Sequence, residues 1–493
     1  MLQIFEQDRA LLPFEKDIRL RLENYRRTRY ALVKDGCLND FANAHEYYGF
    51  HHTTDGWVYR EWAPGADALF LTGDFNNWSE TAAPMTRLEN GNWELWLPED
   101  TLRDGSRVRT IVRNGDRLSP HIPLYARRVI QDPESHDWLC EVWDPTEPFD
   151  WTDADFHPEK IPLIYESHVG MATEEYRPGT YREFADQVLP RVQALGYNTI
   201  QLMAVMEHPY YGSFGYQVSS FFAASSRFGS PEDLKYLVNR AHEMGITVLL
   251  DLVHSHAVRN TVEGINRFDG TDYQFFHDGP EGDHPAWGTK CFNYGKPEVL
   301  HFLLSNLKFW LTEYHFDGFR FDGVTSMLYH NHGLGEAFTN LKLYFSMNTD
   351  TEAITYLQLA NALIREVRPE AITIAADVSK RAQRSRYIDD VEKELFRLFE
   401  KDIRSMTISQ GALLMRLIDR ECGKSPYDLI KTYESGFVAS FWQLVAKLFS
   451  QDLKARYDPN GRDANIEQLV QIWEAGHWDA FYYSIFMEKP TRY

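Results

Sequence analysis

Gly318-Phe319-Arg320-Phe321-Asp322-Gly323-Val324 decides the reading of this chain. In an extended strand, residues two apart share a face, so Arg320 and Asp322 project together while Phe319 and Phe321 turn the other way. A guanidinium beside a carboxylate holds it ionised and oriented, which suits a nucleophile. Working outward, four more apolar runs of strand length occur: Leu163-Ile164-Tyr165-Glu166, Thr199-Ile200-Gln201-Leu202-Met203, Thr247 to Val253, and Ile372 to Ala375. Helical patterns lie between them, for example Pro231 to Met244 and Val299 to Tyr314. This alternation argues for parallel strands joined by helical crossovers. A closed (β/α)8 barrel needs eight strands. The five runs therefore predict an incomplete TIM-type barrel over residues 148–380, with free sheet edges at Leu163–Glu166 and Ile372–Ala375 if the order is sequential.

The flanks read differently. Residues 1–38 form an N-terminal helical segment, with an Arg- and Glu-rich amphipathic pattern over 13–34. Residues 39–147 break into short alternating runs, such as Trp57-Val58-Tyr59-Arg60-Glu61-Trp62, separated by turns such as Glu89-Asn90-Gly91-Asn92. That texture predicts an independent β-sandwich. Asp144-Pro145-Thr146-Glu147-Pro148 reads as a linker. After 380 the strand rhythm stops, and residues 381–493 read as an α-helical domain, with helices over 381–402, 411–418 and 441–449.

A length of 493 residues exceeds what one simple core organises. The net charge of −21, with no basic cluster against it, disfavours nucleic acid. Four scattered cysteines without ligand-like spacing point to a reducing compartment, and no metal or cofactor is expected. The first residues lack the features of a signal peptide, and no apolar run approaches a membrane span, so a cytoplasmic location without membrane contact is expected. Aromatics make up 14% of the residues, a content that serves a large core and also suits stacking on sugars.

Four segments carry candidate chemistry: Asp251-Leu252-Val253-His254-Ser255-His256 at one strand end, Arg320 with Asp322, Ser213-Phe214-Gly215-Tyr216 after the second strand, and Trp62 with Asp74-Phe75-Asn76-Asn77-Trp78 in the sandwich. Barrel active sites sit at the C-terminal strand ends. Singly, each segment is ordinary: an Arg-x-Asp pair can be a structural ion pair, and a lone His a satisfied loop residue. In this order and spacing, with Tyr165-Glu166-Ser167-His168-Val169-Gly170, Phe221-Phe222-Ala223-Ala224-Ser225-Ser226-Arg227 and Phe316 to Tyr329, residues 10–378 resemble the glycogen (1,4-α-glucan) branching enzymes of the α-amylase superfamily. Residues Arg60 to Ala66 and Gly73 to Asn76 resemble that family's carbohydrate-binding module. The resemblance implies transfer of α-1,4-glucan segments to a 6-hydroxyl by a retaining mechanism, with glycogen as partner. It implies Asp322 as nucleophile, Arg320 setting its charge and geometry, Tyr216 stacking on the sugar, His256 bonding a sugar hydroxyl and Asp251 bracing the site. Trp62 and Trp78 become candidates for glucan stacking; burial in the sandwich explains either one equally well.

The departures are as informative. The family's acid/base glutamate aligns with Ala376, and Asp377 next to it points to the opposite face. A later His-Asp pair, three strands and an all-β domain find no counterpart. Residues 385–475 instead resemble a small helical bacterial family of unknown function, carried by Met406 to Gly411, Leu417 to Arg420, Phe441-Trp442 and Leu453 to Asp458. A fusion, a deletion or an assembly artefact near 376–382 would each produce this join. Three readings stay open: an impaired branching enzyme, a non-catalytic glucan-binding protein and a non-functional hybrid. The tail is expected to fold separately, or else to pack loosely against the gap in the barrel. Oligomeric state is not legible.

Overall fold

The computed structural model describes residues 4–336, 338, 340–375, 413, 416, 417, 420, 457–459 and 461–474. Two compact units are present, Met1–Ser379 and Lys380–Tyr493. The first opens with a short helix, Ile4–Gln7, then a 3-10 turn, Arg9–Phe14, and the helix Glu15–Val33. Phe14 stacks on Phe345 at 4.4 Å, and Arg29 pairs with Glu366 at 3.0 Å, fastening this helix to the rest of the unit.

The sandwich comprises β1 (Gly49–Thr53), β2 (Gly56–Trp62), β3 (Ala68–Gly73), β4 (Thr86–Arg87), β5 (Asn92–Leu97), β6 (Arg107–Asn114), β7 (Arg117–His121), β8 (Val129–Gln131) and β9 (Trp138–Glu141). One antiparallel sheet runs β1-β2-β5-β4; the other runs β3-β6-β9-β8, with β7 beside β6. The alternation read in the sequence is the burial pattern: Trp57, Tyr59 and Trp93 go inward against Leu69, Leu71 and Val108.

Next come β10 (Ile164–Ser167), β11 (Thr199–Leu202), β12 (Met206–Glu207), β13 (Ser220–Ala224), β14 (Thr247–Leu252), β15 (Gly318–Phe321) and β16 (Ile372–Ala375). Five of these form a parallel sheet in sequential order, β10-β11-β14-β15-β16. β12 and β13 form a separate antiparallel pair between β11 and β14, which the sequence reading missed. Every residue of β11 and β14 is buried, as strands covered on both faces must be. β10 and β16 are half-exposed, and Leu163 beside β10 is 53% exposed. Among the described residues no strand pairs with the outer edge of either.

The crossover helices have clear start signals. Ser230 and Asp233 make a reciprocal capping box around Pro231, which opens the helix Pro231–Glu243. Asp350 accepts from Glu352 N and Ala353 N at the start of Thr351–Val367. Gly318, at φ 147°, lets β15 approach β16, because a Cβ there would collide with the Ile372 backbone.

The sandwich is not independent of the barrel strands. One continuous hydrophobic cluster runs from Trp57 and Leu71 through Tyr125, Phe222 and Phe302 to Leu250 and Phe319. Gln274 Nε2 donates to the Trp62 carbonyl at 2.6 Å, Gly65 N to Asp269 Oδ2 at 2.8 Å, and His121 Nδ1 to the Thr261 carbonyl at 2.7 Å. The expected separate module is instead one side of a shared core.

In the second unit, the helix Ala464–Glu474 carries Glu467, which takes Arg420 at 2.8 and 3.1 Å and the Tyr457 hydroxyl at 2.9 Å. Arg416 pairs with Asp463. Of the helices expected here, residues 413, 416 and 417 are helical, while 381–402 and 441–449 lie outside the described residues. No helix among the described residues is long and apolar enough to cross a membrane.

At the N-terminal strand ends Asp317 is wholly buried and serves three groups. It accepts from Val248 N at 2.7 Å and His242 Nε2 at 2.9 Å, and it pairs with Arg368 at 2.6 Å. His242 also reaches Asp153 at 2.8 Å, tying the segment before β10 to the same node. Removing one member of a buried charged cluster strands the others. Asp317→Ala should therefore lose about 3 kcal/mol in urea unfolding. An unchanged midpoint would show that the node is dispensable.

Candidate functional site

The polar side chains predicted to act together do come together, at the C-terminal ends of the parallel strands. Pairing of β14 with β15 sets Asp251 opposite Arg320. Arg320 Nη1 donates to Asp251 Oδ2 at 3.0 Å and to Asp322 Oδ1 at 2.7 Å. The Asp322 amide donates to the Leu252 carbonyl at 2.9 Å, which fixes its backbone just past the end of β15. Oδ2 of Asp322 takes no hydrogen bond among the described residues, and the side chain is 20% exposed. It is the one carboxylate of the pair that a ligand could reach, since Asp251 is fully buried.

Tyr216 comes from the loop before β13. Its hydroxyl donates to Asp251 Oδ2 at 2.6 Å. The loop holds its shape because Gly215, at φ 88°, lies where a Cβ would meet the backbone of Ala204. His256 Nε2 donates to the Tyr216 carbonyl at 2.8 Å, so the neutral ring accepts from the Ser255 hydroxyl at Nδ1, 2.9 Å away. The expectation that His256 bonds a sugar hydroxyl meets a physical obstacle here, because both ring nitrogens are engaged within the chain. Its ring faces Trp287, with centroids 5.0 Å apart.

Burial governs the charges. It pushes the Asp251 carboxyl up to about 7, against the pull of Arg320 and the Tyr216 hydroxyl. Asp251 Oδ1 has no hydrogen-bond partner, consistent with a carboxyl that resists ionising. Burial and then the Asp251 charge push the Tyr216 phenol well up. Burial works against the Arg320 charge, but Asp251 and Asp322 outweigh it and raise its affinity for protons. Burial lowers His256, which keeps the imidazole neutral.

The two tryptophans lie away from this cluster and part company. Trp62 is buried, its Nε1 donating to the Asn90 carbonyl at 3.1 Å and its ring edge-on to Phe275. It packs in the core and also lines an open cavity with Pro64, Gly65 and Tyr273. Trp78 is 37% exposed and is held by its Nε1 bond to Asp74 Oδ1 at 3.1 Å. Ala376 lies outside the described residues. Three neighbours went unassigned in the sequence: Ser255, Trp287 and Glu166 of β10, whose charge acts on both Asp251 and Arg320. Glu166 was legible as a carboxylate near the end of the first strand. Trp287 sits in a long loop with no periodicity to announce it. Among the described residues no cluster of three or more His, Cys, Asp or Glu has the arrangement of a metal site.

The chain matches a horse 1,4-alpha-glucan-branching enzyme at 46% identity over 392 residues, 76% of this chain and 55% of that protein. A Yarrowia lipolytica 1,4-alpha-glucan-branching enzyme matches at 47% over 400 residues, 77% of this chain and 58% of the relative. Over this part, the chain is a relative of the 1,4-alpha-glucan-branching enzymes. It spans about half the length of the curated relatives it matches. Residues 47–133 match carbohydrate-binding module 48, the isoamylase N-terminal domain. Residues 339–472 match a domain of unknown function, DUF4294. That match begins well before the tail likeness read in the sequence, and it takes in the helix Thr351–Val367 and β16. Among solved structures, the Group B Streptococcus pullulanase SAP shares the fold at TM-score 0.52 and 18% identity, over 68% of this chain and 47% of that one. The catalytic module of the glycogen-degrading pneumococcal virulence factor SpuA does so at 0.51 and 16%, over 70% and 53%.

The raised Asp251 carboxyl has a stability signature. An unfolded aspartate titrates near 4, against about 7 in the folded chain. Between those values the folded state holds a proton the unfolded state has released, so this group makes stability fall as pH rises from about 4 to about 7 and adds no further slope above. Asp251→Asn should flatten that part of the stability–pH curve measured by urea unfolding. An identical slope in the variant would assign the proton to another group.

Proposed function

We propose that the Asp322 cluster is an α-glucan site of the branching-enzyme type, with its nucleophile half assembled and its proton donor replaced by Ala376. What carries this reading is the single Arg320 guanidinium shared between Asp251 and Asp322. It holds one carboxylate buried and aims the other outward, as attack on an anomeric carbon requires. Asp322 Oδ2 attacks C1 of an α-1,4-linked glucose, the bond from C1 to the leaving oxygen breaks, and a glucosyl ester forms on Asp322. In a retaining enzyme, the leaving oxygen takes its proton from an acid/base residue, which later activates the acceptor hydroxyl. An alanine can do neither. Loss of general acid–base catalysis costs roughly 10² to 10⁴ in rate. The chain is therefore an α-glucan-binding protein of the branching family that transfers slowly, and glycogen is its expected partner. The alternative, glucan binding without any transfer, is favoured by the same alanine.

A substrate whose leaving group needs no proton separates these readings. With α-maltosyl fluoride, fluoride departs unprotonated, so Asp322 should become covalently glycosylated and, lacking a base to activate water, should stay so long enough for intact-mass spectrometry. Asp322→Asn should give no adduct. Absence of an adduct on the unaltered chain would sink the nucleophile assignment and leave binding alone. Branch formation from amylose should lie at least about a hundredfold below that of a full-length relative. Ala376→Glu alone should not restore it, because a half-open site leaves water to weaken the interactions that the transition state needs. Full activity in the chain as written would mean that another group supplies the proton.

A further inference from the structure

β5 alternates strictly. Trp93, Leu95 and Leu97 pack toward the core, while Asn92, Glu94 and Trp96 turn the other way. Trp93 is buried, but Trp96 is 51% exposed. An indole thus stands in the polar register of the strand, where core packing gives it no role. The groups around it are ordered. Arg60 of β2 lies directly opposite Glu94, and its Nε donates to Glu94 Oε2 at 2.7 Å. Trp96 Nε1 donates to the other oxygen of the same carboxylate at 2.9 Å, which fixes the ring. The Arg60 guanidinium lies 4.5 Å from the Tyr47 ring and 6.0 Å from the Trp96 ring. Tyr47 is 38% exposed. It is held from behind by Tyr48, edge-on at 4.9 Å, which stacks on Tyr125 at 5.0 Å and donates to Asn92 Oδ1 at 2.7 Å.

We propose that Trp96 and Tyr47, with the paired Arg60 and Glu94 between them, form a binding platform for an α-glucan chain on the outer face of the β1-β2-β5-β4 sheet. The occupant is argued from chemistry. Two fixed, flat aromatic faces offer stacking for the apolar sides of pyranose rings. The ion pair between them is neutral overall and presents donors and acceptors, which suits the hydroxyls of an uncharged polyol better than a charged ligand. All four residues fall inside the stretch matched by carbohydrate-binding module 48. The platform is separate from the Asp322 cluster and from Trp78, which follows β3 of the opposite sheet. The choice of glucan rests on the proposed function; the ordered, exposed geometry does not.

The full chain, unaltered and as Trp96→Ala, Trp96→Phe and Tyr47→Ala, is run on native gels containing increasing glycogen and titrated with maltoheptaose. Removing one stacking face should weaken affinity about five- to tenfold, visible as reduced retardation with an unchanged melting transition. Trp96→Phe, which keeps a flat face, should recover most of the retardation. Equal retardation of Trp96→Ala and the unaltered chain overturns the proposal. So does unchanged retardation with a shifted gel-filtration volume, which would assign the patch to a second copy of the chain. Adduct formation with α-maltosyl fluoride is followed on the same unaltered preparation. An adduct without any retardation overturns the platform alone, whereas Trp96-dependent retardation without an adduct supports the platform and counts only against the barrel reading.

Discussion

One guanidinium between two carboxylates is the constraint on which the site depends. Arg320 sits on a parallel strand next to Asp251 and two residues before Asp322. A buried charge is tolerable only when paired, and removing a partner strands it at a cost of about 3–5 kcal/mol. The register of β14 and β15 is thus coupled to the charge balance at their C-terminal ends. A slip of one residue would turn Arg320 to the other face of the sheet and leave Asp251 without its cation. The same strands are anchored at their other ends by Asp317, whose three partners come from β14, the helix Pro231–Glu243 and Arg368. Between these two polar nodes, the strands are held by close-packed apolar residues.

The arrangement is lopsided. The groups around Asp322 are mutually hydrogen-bonded, down to Ser255 fixing the tautomer of His256 and His256 holding the Tyr216 loop. Asp251, pushed up to about 7 by burial, braces Tyr216 and Arg320 without offering a surface to a ligand. In the proposed alignment with the branching enzymes, the acid/base position falls on Ala376. The sandwich shares the barrel's core and holds its exposed aromatics in fixed positions.

Much of this is legible in the sequence alone. The five parallel strands were readable because covered strands are continuous apolar runs. The cluster was readable because Arg320 and Asp322 are two apart and Asp251 ends a neighbouring run. The pair β12 and β13 is not legible because two residues, Met206–Glu207, carry no period. The sequence suggests a free-standing sandwich because its links to the barrel, Gln274 to Trp62 and Asp269 to Gly65, cross more than two hundred positions and leave no local pattern. That Trp62 is largely buried is not legible from its motif. The place of Trp96 in the polar register beside Glu94 is readable from the alternation of β5. His256 could not be judged from sequence, since nothing local tells that its Nε2 is committed to a carbonyl forty residues away.

The central proposal is that Asp322 can take up a covalent glucosyl group with no proton donor opposite it. Azide tests it directly, because this anion attacks the glucosyl ester without needing a base. Turnover of α-maltosyl fluoride by the unaltered chain, followed by fluoride release and by NMR of the product, should rise with azide concentration and yield the α-configured maltosyl azide. The α product requires two inversions and hence the ester on Asp322. Turnover indifferent to azide, or a β-configured azide formed by a single displacement, would contradict the account.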